Sequence, residues 1–329
     1  MILQLVIAFF VSLAVTAGVG YFLVPALRGI KAGQSIREDG PVWHNKKQGT
    51  PTMGGIMFIA GVTAACLIVG FDEIVSGTYG HVVVLVFALG YAAIGMFDDY
   101  VKLKKKQNLG LRAKHKFALQ LLVVVGFVVL MHNFGNLTTD LYIPFLNAAI
   151  AIPTPLYYVF AAFVIVGTVN SVNITDGVDG LATGVTIPVA ICITALAIFW
   201  EHITVGIFAA ALTGGLVAFL FFNFHPAKVF MGDTGSLFLG GAVCALAFAM
   251  DMPLILVLLG FVYFVETLSD IIQIGYFKIT GGKRIFKMAP IHHHFEMCGW
   301  SEYKLFTVFT TVSAVFAVIA FFSVYLRYN

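Results

Sequence analysis

Apolar runs of roughly membrane-spanning length recur along this chain. They lie near residues 2–27, 53–71, 80–97, 117–133, 156–171, 181–200, 203–222, 235–250, 254–277 and 304–326. A helix that crosses roughly 30 Å of hydrocarbon needs about 20 mostly apolar residues, so few other architectures are open to such a sequence. The composition agrees: 60% of the 329 residues are hydrophobic and 11% are charged, against about 25% charged in a soluble domain. The expected fold is an all-α polytopic membrane protein with about ten transmembrane helices, forming one integral-membrane domain over residues 1–329. No basic residue precedes the first run, so it lacks the positive leader of a cleaved signal peptide and reads as a retained span. Cys66, Cys192, Cys244 and Cys298 have no CxxC spacing and suggest neither a disulfide framework nor zinc.

Orientation follows from the basic residues, because Lys and Arg near span ends stay on the cytoplasmic side. Seventeen of the 19 fall in alternate connections: Arg28 to Lys47, Lys102 to Lys116, Lys228, and Lys278 to Lys287. The connections between these hold none. Ten spans with both termini outside follow, and every polar island of chemical interest lies on the cytoplasmic face. The longest outer connection contains Leu137 to Ile143 and Ala148 to Ile152 between turn residues, which suits a small periplasmic β-hairpin without a catalytic part. The run Lys102 to Lys116 also suits contact with inner-leaflet lipid headgroups.

The most informative island is Asn223 to Ser236, which ends in Phe-Met-Gly-Asp-Thr-Gly-Ser with Asp233 on a glycine-flanked turn. Backbone amides of such a turn can face a phosphate while a carboxylate holds a hard cation, the arrangement that Mg²⁺-assisted phosphoryl chemistry needs. Asp98-Asp99 closes the third run, where adjacent like charges require a cation or lysines nearby to stay ionised. Asn170 to Gly184 carries two Asn and two Asp among glycines, an irregular polar stretch tolerated at this depth only where it lines a cavity. Pro290 to Glu296 places His292, His293 and His294 in succession. Neighbours on a helix point about 100° apart and cannot jointly close one metal ion, so phosphate recognition suits them better. Glu266 and Asp270 share a helical face, with packing and pathway roles both open. The phosphate loop GxxxxGK[ST], the GxGxxG fingerprint and nucleic-acid modules are all absent from the sequence.

Lys47-Gln-Gly-Thr-Pro-Thr-Met-Gly-Gly55, Asp98-Asp99, Asn173-Ile-Thr-Asp-Gly-Val-Asp-Gly-Leu181, Phe230 to Ser236 and Ala289 to Glu296 together resemble the polyprenyl-phosphate N-acetylhexosamine-1-phosphate transferase superfamily. Within it they are most similar to the branch that handles phospho-MurNAc-pentapeptide. The resemblance spans nearly the whole chain. It implies transfer of phospho-MurNAc-pentapeptide from UDP-MurNAc-pentapeptide to undecaprenyl phosphate, giving lipid I and UMP with Mg²⁺, in the bacterial cytoplasmic membrane. It further implies Asp233 as metal ligand and catalytic residue, Asp98 as base, and Asp99 as a further catalytic carboxylate. Lys47, Asn173, Asp176, Asp179, Asn223 and Phe230 would receive substrate, and His292, His293 and His294 would contact phosphate or sugar. Assembly as a homodimer is left open. Two alternatives stand beside this reading: a relative that uses UDP-N-acetylglucosamine, and a cation- or proton-coupled transporter. A transporter would spread its carboxylates through the membrane depth, whereas these gather at one face.

Overall fold

The computed structural model describes residues 1–29, 47–105, 107, 109–134, 138–325 and 327. Lys31, Arg37, Lys46 and Lys106 of the basic connections, and Leu137 of the expected hairpin, lie outside them. Among the described residues the helices are α1 (Ile2–Gly29), α2 (Gly55–Val69), α3 (Phe71–Val75), α4 (Gly80–Lys105), α5 (Ala113–Phe134), α6 (Thr154–Thr175), α7 (Leu181–Phe199), α8 (Ile203–Asn223), α9 (Gly232–Ala249), α10 (Leu256–Leu259), α11 (Phe261–Ile279), α12 (Ile291–Met297) and α13 (Glu302–Val324). The expected hairpin is present as β1 (Asp140–Ile143) and β2 (Ala148–Ala151), antiparallel with Asp140 opposite Ala151 and Ile143 opposite Ala148.

Every expected apolar run is largely helical, and among the described residues 8 helices are both long and apolar enough to span a membrane, or 9 if the bent pair Pro253–Leu259 and Phe261–Ile279 is counted as one span. Two runs differ for local reasons. The stretch before α2 is tied to the stretch before α9: Phe230 N–H donates to the Pro51 carbonyl (2.8 Å), and Gly54 and Gly55 N–H donate to the Phe230 and Met231 carbonyls (2.8 and 3.0 Å). These bonds satisfy donors that open a helix, so α2 begins inside the protein and runs for only 15 residues. The ninth run breaks at Gly260, where Pro253–Leu259 and Phe261–Ile279 meet at 78°.

The buried share of the spanning window is 83% in α9 and 78% in α8, against 22% in α1 and 28% in α13. The first pair is therefore the axis of the bundle and the second its lipid-facing rim. α9 packs on α4 and α6, and α8 on α1, α2 and α7. The close α4 to α9 approach depends on Gly95, where a Cβ would lie 2.1 Å from the Asp233 carbonyl oxygen. Because successive spans run in opposite directions, the C-terminal ends of α4, α6, α8 and α11 share one end of the bundle with the N-terminal ends of α5, α7, α9 and α13. The polar islands therefore meet there. The hairpin and the Asp251–Arg327 ion pair (3.2 Å) occupy the other end.

Candidate active site

The site is built around the start of α9. That helix has no side-chain cap from its own preceding residue, and the final turns of α4 supply one. Asp99 is 2% exposed and accepts hydrogen bonds from Asp233 N–H (3.2 Å), Thr234 N–H (2.9 Å) and the Thr234 hydroxyl (2.7 Å). Both its oxygens thus serve donors that the first turn of a helix leaves unpaired. Gly232, at φ +70°, brings the chain past this carboxylate, and a Cβ there would sit 2.5 Å from Asp99 Oδ2.

Asp98, Asp99 and Asp233 place carboxylate oxygens within 4.8 Å of one another. Lys102 lies among them, its Nζ 2.7 Å from Asp98, 3.1 Å from Asp233 and 3.8 Å from Asp99. Lys116, at the start of α5, bonds Asp233 Oδ2 at 2.6 Å, and Asn173, near the end of α6, donates to Asp233 Oδ1 (3.1 Å) and Ser236 Oγ (2.7 Å). The remaining Asp98 oxygen accepts Leu111 N–H at 2.8 Å. Lys102 and Lys116 looked in the sequence like members of a basic patch. The available signal for Lys102 was its spacing, three and four residues after the aspartates; Lys116 carried none.

A second cluster forms at Lys47. Its Nζ bonds Asp179 Oδ1 (2.7 Å) and Glu302 Oε2 (2.6 Å). Asp179 Oδ2 accepts Ala227 N–H (2.9 Å) and lies 3.1 Å from His225 Nδ1, while Glu302 also accepts Asp179 N–H at 3.3 Å. His225 and Glu302 were not anticipated. His225 lies inside a recognised island, but Glu302 is 123 residues from Asp179 and only folding brings them together. Asn223 is buried and wholly engaged within the protein, its amide nitrogen donating to the Val229 carbonyl and its oxygen accepting from Thr183 (both 3.0 Å). It braces the 224–229 turn from behind. Phe230 is half-buried, with its backbone tied to Pro51 and Gly54.

The histidines separate as the helical geometry requires. His292 turns inward to Glu266 (2.8 Å), His293 pairs with Glu296 (2.6 Å), and His294 accepts Lys287 N–H through Nδ1 (3.1 Å). Burial opposes a charge on His292, but the carboxylates of Glu266, Glu296 and Asp270 together with the Glu266 hydrogen bond raise its pKa above the usual imidazole value.

The 173–180 stretch joins these parts. Asn173 reaches Asp233, Gly177 lies against His292, and Asp179 binds Lys47. Asp176, half-buried between them, has its carboxyl pushed well above the usual range, first by burial and then by the charges of Asp233, Asp99 and Asp179. Chemically, the arrangement offers hard oxygen ligands, ammonium groups for phosphate, and a separate polar cluster around Lys47 one loop away.

Two family models match the chain: Glycosyl transferase family 4 over residues 81–251, and Phospho-N-acetylmuramoyl-pentapeptide-transferase signature 1 over residues 47–59. Relatives named phospho-N-acetylmuramoyl-pentapeptide-transferase are similar over nearly the whole length. One from Clostridium botulinum (strain Alaska E43 / Type E3) is 45% identical over 317 residues, 95% of this chain and 94% of its own. One from Clostridium perfringens (strain 13 / Type A) is 46% identical over 321 residues, 97% of this chain and 98% of its own. A third, from Caldanaerobacter subterraneus subsp. tengcongensis, is 45% identical over 323 residues, 98% of this chain and 99% of its own.

Proposed function

Because the chain belongs to the phospho-N-acetylmuramoyl-pentapeptide-transferase family, we propose that it transfers phospho-MurNAc-pentapeptide from UDP-MurNAc-pentapeptide to undecaprenyl phosphate at the cytoplasmic face of the bacterial inner membrane. The products are lipid I and UMP, and the reaction is the first membrane step of peptidoglycan synthesis, on which cell shape and division depend. In net terms the bridging P–O bond of the donor breaks and UMP leaves with its electron pair. A lipid-phosphate oxygen ends bonded to the sugar-bearing phosphorus.

The observation that carries this reading is the gathering of Asp98, Asp233, Lys102 and Lys116 at one end of the bundle, joined through the 173–180 stretch to the Lys47 cluster. The donor set fits Mg²⁺: hard carboxylate oxygens lie close together, and Asp233 already draws two ammonium groups. Asp233 would be the principal ligand with Asp98 beside it, since Asp99 spends both oxygens on the start of α9 whereas Asp98 Oδ2 and Asp233 Oδ2 face lysine ammonium groups that a cation can displace. Mg²⁺ bound there would offset negative charge on the pyrophosphate. Lys102 and Lys116 are placed to take phosphate oxygens. A phosphate monoester with a second pKa near 6 is already largely dianionic at neutral pH, so the role of Asp98 is to order the lipid phosphate together with Lys102. Lys47, Asp176, Asp179 and Phe230 receive the uridine end, and Asn223 supports them by fixing the 224–229 turn. Exposed Lys104, Lys105, Arg112 and Lys114 at the same end suit anionic inner-leaflet headgroups.

The purified protein, incubated with undecaprenyl phosphate and either UDP-MurNAc-pentapeptide or UDP-N-acetylglucosamine, should release UMP with the first donor. Release with the second alone would move the chain to another branch of the superfamily, and release with neither would end the transferase reading. For the facing, single cysteines placed at Gln107 and Lys283 in a cysteine-free background should be shielded from an impermeant thiol reagent in intact cells, and one at Thr139 should react. The opposite labelling would put the site outside.

A further inference from the structure

Glu302 opens α13 and is half-buried. The helix does not need it as a cap, because the Ser301 hydroxyl already accepts Lys304 N–H at 3.3 Å. Its carboxylate turns instead to the Lys47 cluster, where Oε2 takes Lys47 Nζ (2.6 Å) and Asp179 N–H (3.3 Å) and lies 3.3 Å from His225 Nδ1. The next residue, Tyr303, donates its hydroxyl to the His225 carbonyl at 3.1 Å, so the start of α13 grips the 224–229 turn. Asp179 is engaged through both oxygens, Oδ1 by Lys47 (2.7 Å) and Oδ2 by Ala227 N–H (2.9 Å) and His225 (3.1 Å). Lys47 thus stands between two carboxylates that backbone N–H groups also hold in place. An ammonium has three N–H donors. Asp179 and Glu302 accept two of them, and among the described residues the third has no partner.

We propose that Glu302 is a positioning residue that decides which end of the donor lies at Lys47: sharing the ammonium with Asp179, it cancels the charge that would draw phosphate and leaves the third N–H for a neutral oxygen of the nucleoside. This rests on the phosphotransfer reading above. Lys47 and Lys116 are both lysines near the same end of the bundle, and a pyrophosphate is drawn to any ammonium whose charge is not already met. At Lys47 two carboxylates meet one lysine, so a further anion is repelled while a carbonyl or hydroxyl oxygen is accepted. At the start of α9 Lys102 and Lys116 stand beside carboxylates suited to Mg²⁺, which turns the balance toward positive charge and toward phosphate. The contrast fixes the direction of the bound nucleotide. Without the Glu302 charge, Lys47 keeps only Asp179, its aim is less defined, and its end of the site discriminates less against phosphate.

The test is binding of UDP-MurNAc-pentapeptide to the purified full chain with Mg²⁺, and its displacement by inorganic pyrophosphate, in the parent and in Glu302→Gln. The amide keeps the side-chain shape and removes the charge. Donor affinity should fall about tenfold, while the affinity for pyrophosphate, which has no nucleoside to place, should hold or rise. The ratio of the two affinities should therefore drop about tenfold or more. A role confined to packing the start of α13 would lower thermal stability and weaken both ligands together, leaving the ratio at its parental value. Should Glu302→Gln not fold, Glu302→Asp keeps the charge and shortens its reach to Lys47, and the same ratio should fall. A ratio unchanged in the folded variant, or pyrophosphate that fails to displace the donor from the parent, overturns the proposal. Release of UMP by the parent tests the transferase reading separately, so the two can fail independently.

Discussion

The two ends of the bundle use acidic residues in opposite ways. At the hairpin end Asp251 is matched by one cation: Arg327 pairs with it at 3.2 Å and bonds its carbonyl at 2.6 Å, while Thr138 donates twice more, at 3.3 and 2.8 Å. The Arg327 guanidinium also lies over the Tyr142 ring, so the group fastens the hairpin to the last helix and is chemically complete. At the other end Asp98, Asp99 and Asp233 share Lys102 and Lys116, with Asp176 adding a further acid nearby. Acids outnumber bases there, and one of the lysines contacts all three aspartates. A saturated pair holds structure together; an unsaturated cluster, kept rigid by helix ends, is prepared for a cation and a phosphate.

Asp233→Asn tests the contrast most severely. It removes the anionic ligand while keeping shape, and UMP release should fall by about 10²–10³-fold or more. Paramagnetic Mn²⁺ binding to the purified variant should weaken with it. Parent-like Mn²⁺ binding in Asp233→Asn, alongside lost binding in Asp98→Asn, would relocate the metal to the end of α4.

Asp99→Asn should have a smaller and different effect. An amide cannot accept from Asp233 N–H, Thr234 N–H and the Thr234 hydroxyl on both sides, so the α9 start loosens. Stability should drop by about 0.5–2 kcal/mol, the range for losing a helix cap. Turnover should fall while the donor KM and Mn²⁺ binding stay near parental values. Loss of Mn²⁺ binding in this variant as severe as in Asp233→Asn would make Asp99 a ligand instead of a cap.

Asp251→Asn should have the smallest effect on chemistry. Its cost is to the attachment of the hairpin, about 1–3 kcal/mol of stability for weakened hydrogen bonds to a charged group. UMP release per folded molecule should equal that of the parent. A tenfold loss of turnover would remove the distinction between the two ends.

The span pattern was legible in the sequence because a bilayer demands long apolar runs, whatever surrounds them. The hairpin was legible because its strands alternate with turn residues. Asp98-Asp99 and Asp233 stood out because a charge beside hydrocarbon is rare enough to be a signal in itself. The lysines gave no such signal, since positive-inside retention places many of them at the same ends. Lys102 and Lys116 were thus hidden among neighbours that remain exposed.

The order of the helices, their alternating direction and the gathering of polar islands at one end all follow from the sequence by the physics of the membrane. Tertiary structure alone decided the roles within that end. Asp99 and Asp98 are adjacent in sequence, yet one caps α9 and the other faces Lys102. Glu266 acquires a partner 26 residues away, and Asp179 one at 123. The shortening of α2 comes from backbone bonds to Phe230 and Met231, which no local propensity encodes. Burial acts on each residue through its own polarity and can be read along a chain, whereas a hydrogen bond needs two groups at a set distance and direction, and only the packed helices bring such pairs together.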